Sequence, residues 1–99
     1  MASSIEKGRQ KEYKAIKWLT ERGYTCIRSA ASKGPADIIA TNDEHIRFIQ
    51  VFSVADEKVK DSDLRDARAY FRLLHVPPNT YKEIWVWWNN HGWLYCETI

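Results

Sequence analysis

Asp37 and Gln50 carry oxygen ligands in two β-rich segments that are separated by a short polar turn. Because side chains alternate along a strand, Asp37 shares a face with Ile39, and Gln50 shares a face with Phe48 and Phe52. If the two segments pair as a hairpin, Asp37 and Gln50 approach each other on the face opposite the core. Carboxylate and amide oxygens suit Mg²⁺ or Mn²⁺, which also bind phosphate. The spacing predicts a metal site that could orient a water towards a phosphodiester.

The elements that position this pair follow from apolar periodicity and turn residues. Residues 5–22 have the pattern of an amphipathic helix, and Gly23 is placed to end it. Strand-like runs cover 24–29, 37–41 and 46–54, with a turn over 42–45. The predicted apolar face of the helix consists of Tyr13, Ala15, Ile16 and Leu19.

A second helix and a second hairpin complete the predicted chain. The helix starts at Asp61 or Ser62 and runs to about His75, before two prolines. The hairpin lies within 82–99, with strand-like runs at 83–88 and 93–96 around a turn at 89–92. The buried stripe of the helix consists of Leu64, Ala67, Phe71 and Leu74. The order αβββαββ predicts an α/β fold, a mixed β-sheet flanked by helices, in one domain over residues 1–99.

Bulk properties restrict the class of protein. The chain has 99 residues, 44% hydrophobic and 28% charged, which is an ordinary globular composition. Cys26 and Cys96 lack metal-ligand spacing and are predicted to be buried reduced thiols, with a disulfide as the alternative. No long apolar run or signal-peptide pattern is present, so we expect a soluble cytoplasmic protein, associated with the nucleoid if cellular.

Three motifs together carry a family resemblance. They are a Gly8-x-x-x-Glu12 pair on the first helix, the segment Ser32-Lys33-Gly34-Pro35-x-Asp37, and the apolar strand that holds Gln50. This set resembles the PD-(D/E)XK nucleases, and most of all the archaeal-type Holliday junction resolvases. The resemblance spans nearly the whole chain, including the closing Gly92-Trp93 hairpin.

The resemblance implies a restriction-endonuclease-like fold that binds branched or four-way DNA as a homodimer and hydrolyses phosphodiesters with Mg²⁺ or Mn²⁺. By the same resemblance, Asp37 is the principal metal ligand, Glu12 is a metal-site or water-positioning acid, and Ser32 is a loop residue that contacts the scissile region. Gln50 can still offer an oxygen to the metal. The implied catalytic set is Glu12, Ser32, Asp37 and Gln50.

The chain departs from this family pattern at the Glu-x-Lys element, which reads Gln50-Val51-Phe52. Phe52 cannot donate a proton or carry positive charge, and general acid–base assistance is worth about 10²- to 10⁴-fold in rate. Three interpretations stay open: a lysine from elsewhere, such as Lys33 or Lys58, reaches the site; the protein binds DNA without cutting it; or the site is inactive. The alternative function is therefore a nuclease-fold protein that only binds DNA or a protein partner.

Each candidate also has a structural explanation. Asp37 could cap a turn after Pro35, and Gln50 could be a hydrogen-bonded buried amide. Glu12 lies among Arg9, Lys11 and Lys14, where ordinary ion pairing on a helix surface explains it nearly as well.

Positive charge is concentrated in the first third of the chain. Residues 1–33 hold eight Lys/Arg and three Asp/Glu, whereas the rest hold seven and ten. Such asymmetry is typical of a polyanion-binding face, and a solvated helix gives it about as often. The candidates for phosphate contacts are Lys7, Arg9, Lys11, Lys14, Arg28 and Lys33.

Four of the five tryptophans lie in the last hairpin, at Trp85, Trp87, Trp88 and Trp93. This exceeds what one face of a small hairpin needs for its core, so an exposed aromatic patch is predicted. Such a patch favours a symmetric dimer interface, with base stacking on single strands as the rival. The three histidines have no ligand-like spacing.

Overall fold

The computed structural model describes residues 4–28, 36–54, 61–88 and 92–99. Two helices and five strands follow the predicted order αβββαββ. Their bounds are α1 (Ser4–Thr20), β1 (Thr25–Arg28), β2 (Ile38–Thr41), β3 (Ile46–Val54), α2 (Asp61–Leu73), β4 (Thr80–Trp88) and β5 (Gly92–Thr98).

The five strands form one mixed sheet in the order β1-β2-β3-β4-β5. Neighbouring pairs are antiparallel except β3 and β4, which are parallel and are connected through α2. Ile38 pairs with Ile49 across β2 and β3, so the residues preceding and following them, Asp37 and Gln50, face each other where β2 begins. The predicted hairpin register is confirmed.

Helix α1 ends in a Schellman motif at Gly23, which has a φ of 91°. The N–H of Gly23 donates to the carbonyl of Thr20, and the N–H of Tyr24 donates to the carbonyl of Leu19. Leu19 and Tyr24 are both buried in the same cluster, which is the apolar contact that usually accompanies this motif. The turn therefore fixes the direction in which the chain enters β1.

The buried face of α1 differs from the prediction at one position. Ala15, Ile16 and Leu19 pack against the sheet as expected, but Tyr13 is 53% exposed. Glu12 is buried in its place, since positions 12, 15, 16 and 19 form the i, i+3, i+4, i+7 stripe of a helix. The prediction chose Tyr13 because its side chain is largely apolar. The helical spacing instead directs the carboxylate of Glu12 towards the core.

Helix α2 covers the other face of the sheet. Leu64 and Phe71 are buried with Ile84 and Val86 of β4, and Ala67 and Leu74 pack at the edge of the same cluster, which confirms the predicted stripe. The helix ends at Leu73, slightly before the predicted His75, and the N–H of Leu74 bonds back to the carbonyls of the last turn. Each face of the sheet thus has its own apolar layer.

Both cysteines are unpaired, as predicted. Their predicted burial is wrong for Cys96, which is exposed on the edge strand β5, and Cys26 is only half-buried in β1. Among the helices in the described part of the chain, none is long and apolar enough to cross a membrane.

Candidate functional site

Asp37 is held by a set of hydrogen bonds from β3. Its backbone N–H donates to the carbonyl of Ile49 at 2.9 Å, which extends the pairing of β2 by one residue. Its carboxylate Oδ2 accepts the backbone N–H of Val51 at 2.9 Å and the side-chain Nε2–H of Gln50 at 2.9 Å. Among the described residues, the Asp37 carboxylate bonds to β3 and to no turn; it is a buried carboxylate fixed against the middle of the neighbouring strand.

The environment of Asp37 opposes its ionisation. Burial raises the pKa of the carboxyl above its ordinary value, and the negative charge of Glu12 raises it further. The hydrogen bond from Val51 and the positive charge of Lys11 act in the opposite direction and lower the pKa. A buried carboxylate next to a second one is an arrangement that a cation would stabilise.

Glu12 is the second carboxylate of the site. Its Oε2 lies 3.1 Å from Nη1 of Arg28, at the end of β1, and the guanidinium of Arg28 lies over the ring of Tyr13 at 5.5 Å from the centroid. The prediction that Glu12 could be an ordinary surface residue paired along its own helix is wrong, because it is buried and pairs with a strand. Exposed Tyr13 covers this ion pair from outside.

Gln50 presents its amide nitrogen, rather than its oxygen, to Asp37. Its Oε1 is consequently turned away from the carboxylate. Within the described residues, no hydrogen bond reaches Oδ1 of Asp37. Oδ1 of Asp37 and Oε1 of Gln50 are therefore not used in the hydrogen bond between these two side chains.

This donor set fits a hard divalent cation. It is a sparse set, because the described residues contain no group of three or more His, Cys, Asp or Glu side chains that could hold a metal. Mg²⁺ and similar ions are commonly held by one or two carboxylates while waters and substrate phosphate supply the other ligands. Asp37, Gln50 and nearby Glu12 match that sparse, oxygen-only pattern.

Phe52 follows two positions after Gln50 and lies half-buried in the apolar cluster beneath α2. The same cluster includes Phe48 and Val54, which share its face of β3. Phe52 is therefore part of the packing, and the structure explains why an aromatic residue is accommodated there.

Three of the six basic residues predicted to contact phosphate have described side chains, namely Lys11, Lys14 and Arg28. Lys11 is half-buried beside Glu12, and exposed Lys14 lies over the ring of Trp87 at 4.4 Å from its centroid. Arg28 is engaged by Glu12. The loop residues Ser32 and Lys33, the alternative lysine Lys58, and the side chains of Lys7 and Arg9 lie outside the described residues.

The tryptophans do not form the predicted exposed patch. Trp85 is buried, and its ring contacts Trp18 of α1 and Trp93 of β5 edge-on, at centroid distances of 5.6 Å and 5.2 Å. Trp93 in turn contacts Trp87 at 4.8 Å. These rings join α1 to the last hairpin, and Trp87, Trp88 and Trp93 are each half-buried.

A buried polar cluster at the other end of the sheet was not predicted. Arg47 bonds to the carboxylate of Glu83 at 3.3 Å and to the hydroxyl of Tyr24 at 2.9 Å. Trp85 donates its Nε1–H to Glu83 at 2.8 Å, and the hydroxyl of Tyr24 also bonds to His45. Charged residues at positions 47 and 83, in apolar strands, were the available signal, because buried charges require partners.

Comparison with known proteins agrees with the fold. The family described as archaeal Holliday junction resolvase (hjc) matches residues 3–66. Among solved structures, the fold is similar to Hjc of Archaeoglobus fulgidus, a Holliday junction resolvase from an archaeal hyperthermophile, with a TM-score of 0.58 and 18% identity, over 88% of this chain and 69% of that chain. No curated protein matches.

These matches confirm the predicted resemblance and the restriction-endonuclease-like fold. The matched segment contains Glu12, Asp37 and Gln50. The family match also favours the resolvase-like DNA-binding function over the alternative of a module that only binds DNA or a protein partner.

Proposed function

Because the chain belongs to the archaeal Holliday junction resolvase family, we propose that it is a structure-selective endonuclease that hydrolyses phosphodiesters in branched DNA such as four-way junctions. It acts inside the cell, where such DNA arises. Residues 1–99 make one nuclease-fold domain in this proposal.

The observation that carries the proposal is the fixed carboxylate of Asp37. Two donors from β3, the N–H of Val51 and the amide of Gln50, hold Oδ2 in place, and a second acid, Glu12, lies close enough to affect its ionisation. A buried carboxylate with a raised pKa costs folding free energy at neutral pH. Buried ionisable groups that lower folding stability in this way are typical of functional sites.

Asp37 and Oε1 of Gln50 are the proposed ligands of Mg²⁺ or Mn²⁺, with Glu12 as a nearby acid that positions water. When bound, the ion would orient a water and neutralise charge that develops on the phosphodiester. Other residues of the chain position these groups. Val51 and Gln50 keep Asp37 aligned, Arg28 holds Glu12 in place, and Ser32 is proposed to contact the scissile region.

DNA binding is proposed to use the basic first third of the chain. Lys11 and Lys14 lie on the helix that carries Glu12, so a phosphate backbone that reaches the site also passes along α1. Lys7, Arg9, Arg28 and Lys33 complete the proposed set of phosphate contacts. Contacts of this kind give position and affinity without reading base sequence.

We also propose a homodimer, because a four-way junction offers two equivalent strands to cut. The supporting surface is the outer side of α2, where Tyr70 is 58% and Leu73 is 77% exposed. An open groove of about 460 Å³, mostly apolar, runs beside them. A Leu73→Glu variant should sediment as a monomer if this surface joins two copies; unchanged dimerisation would place the interface elsewhere.

The decisive experiment incubates the protein with an end-labelled four-way junction in Mn²⁺ and resolves the products on a denaturing gel. Asp37→Ala is the matched control, and circular dichroism verifies that both proteins are folded. Paired, symmetric nicks that vanish in the control support a metal-dependent resolvase. A folded protein that binds the junction without nicking it contradicts the proposed cleavage and leaves a DNA-binding protein.

A further inference from the structure

Strand β3 lacks a cation where the metal site needs one. Gln50 is neutral, and Phe52 is packed into the apolar layer under α2. Charge develops on the non-bridging oxygens of a phosphodiester during hydrolysis, and a fixed donor aimed at such oxygens is worth about 10²- to 10³-fold in rate. A cation from another element would therefore have to supply this stabilisation.

Helix α1 places such a cation beside the site. Lys11 immediately precedes Glu12, whose buried carboxylate pairs with Arg28, the residue of β1 opposite Ile38 at the start of β2. Lys11 is half-buried, so part of its stem is covered by the protein. Its positive charge lowers the pKa of Asp37, so the ammonium lies near enough to that carboxyl to interact with it.

Arg28, another described cation near the site, already has an ion-pair partner. Its Nη1 pairs with Glu12 at 3.1 Å, and its guanidinium covers Tyr13. Lys14 lies one turn along α1 and is directed to the ring of Trp87. Lys11 is thus the described lysine that combines proximity to Asp37 with an ammonium that no ion pair in the described residues occupies.

On the basis of the proposed nuclease function, we propose that Lys11 replaces, from α1, the catalytic lysine that β3 lacks. Its ammonium donates a hydrogen bond to a non-bridging oxygen of the scissile phosphate. The water oxygen forms a bond to phosphorus while the bond from phosphorus to the leaving sugar oxygen breaks. The water gives a proton to solvent, the leaving oxygen takes one from solvent, and Lys11 stays protonated throughout.

The test measures single-turnover nicking of a four-way junction in Mn²⁺, with the protein in saturating excess. Lys11→Met and Lys11→Gln should each slow nicking by about 100-fold or more, while Lys11→Arg, which keeps the charge, should stay within about tenfold of the unmodified protein. Lys17→Met is the matched control, because Lys17 is an exposed lysine on the same helix, and it should nick normally. Junction affinity by fluorescence anisotropy and thermal unfolding are measured for every variant.

Lys33→Met and Lys58→Met are tested in parallel. Normal single-turnover nicking by the Lys11 variants, with or without weaker junction affinity, would overturn the proposal, and so would a comparable loss confined to Lys33→Met or Lys58→Met. Both outcomes leave the nuclease function intact. If the unmodified protein binds the junction but makes no nicks, cleavage and the role of Lys11 fail together while DNA binding stands. If it neither binds nor nicks, the proposed function itself fails.

Discussion

At the residue scale, the site is built on a carboxylate that the fold does not favour in its charged form. Asp37 is buried, and its two hydrogen-bond donors both reach Oδ2 from β3. Burial raises its pKa from the ordinary value of 3.8, and the charge of Glu12 adds to that rise. In the proposed metal site, this arrangement would trade folding stability for metal affinity.

The raised pKa of Asp37 has a definite effect on stability. The folded protein holds this proton more tightly than the unfolded chain, so protonation stabilises the fold as pH falls through the raised pKa towards 3.8, and ionisation costs stability above it. Asp37→Asn keeps an acceptor for Val51 and Gln50 without the charge. We expect it to be more stable than the unmodified protein at neutral pH, by a margin that shrinks as the solution is acidified.

Urea unfolding in EDTA, followed by tryptophan fluorescence at several pH values, measures that margin. Asp43→Asn, at an exposed position, controls for the loss of one negative charge. An Asp37→Asn variant that is less stable at neutral pH would show that its hydrogen bonds outweigh its desolvation.

Half-buried Arg47 and buried Glu83 form an ion pair that should be sensitive to the loss of one partner. The side chain of Glu83 is 4% exposed and that of Arg47 is 28% exposed. Arg47→Met leaves the carboxylate with Trp85 as its remaining described donor, and we expect a loss of about 3 kcal/mol in unfolding free energy. Equilibrium denaturation measures it, and exposed Arg65→Met is the control. The double variant Arg47→Met/Glu83→Gln should recover part of the loss, because it removes the unpaired charge; a double variant no more stable than the single one would contradict this.

At the scale of elements, alternation along strands predicted the site better than helical patterning did. Asp37 and Gln50 could be paired from the sequence because period-two alternation and a short turn fix the register of β2 and β3. The burial of Glu12 could have been predicted from the helical spacing of α1. It was missed because the buried stripe was assigned from apolar residues alone, and Glu12 carries a carboxylate. Charges at positions 47 and 83 were a signal for the cluster of Arg47, Tyr24 and Glu83, but its pairing could not be foreseen, since it joins β3, the connection between α1 and β1, and β4.

Helix α2 gives a clear contrast between neighbouring positions. Phe71 is fully buried between the helix and β4, whereas adjacent Arg72 is exposed. We expect Phe71→Ala to lower the unfolding free energy by about 4 kcal/mol, because it removes a large side chain and leaves a cavity. Arg72→Ala should change it by less than about 0.5 kcal/mol. Thermal and urea unfolding report both values, and similar losses in the two variants would mean that α2 is not packed as described.

At the scale of the whole molecule, positive charge and one acid of the candidate site lie in the same part of the chain. Helix α1 supplies the inward acid Glu12, the cations Lys11 and Lys14, and much of the apolar layer over the sheet. The later two thirds of the chain carry an excess of acids. A polyanion should therefore approach along the α1 side, where it would meet Asp37 at the start of β2.

This arrangement predicts a steep dependence of junction affinity on salt. A protein that neutralises several phosphates releases counterions, and the logarithm of the affinity then falls with the logarithm of salt with a slope of about −0.9 per contact. If the six proposed basic residues all contact phosphates, the slope should be about −5. Removing one contact by Lys14→Gln should reduce its magnitude by about 1, whereas Arg72→Gln, on α2, should leave it unchanged.

Fluorescence anisotropy with a labelled four-way junction measures the slope, and Asp37→Ala protein prevents nicking during the titration. Unbranched duplex of the same length separates general backbone affinity from preference for the junction. Since base stacking on aromatic side chains depends less on salt than phosphate contacts do, a slope near zero would mean that the basic side of α1 is not the DNA surface. A steep slope reduced by Lys14→Gln alone would place the DNA along α1, the helix that carries Glu12.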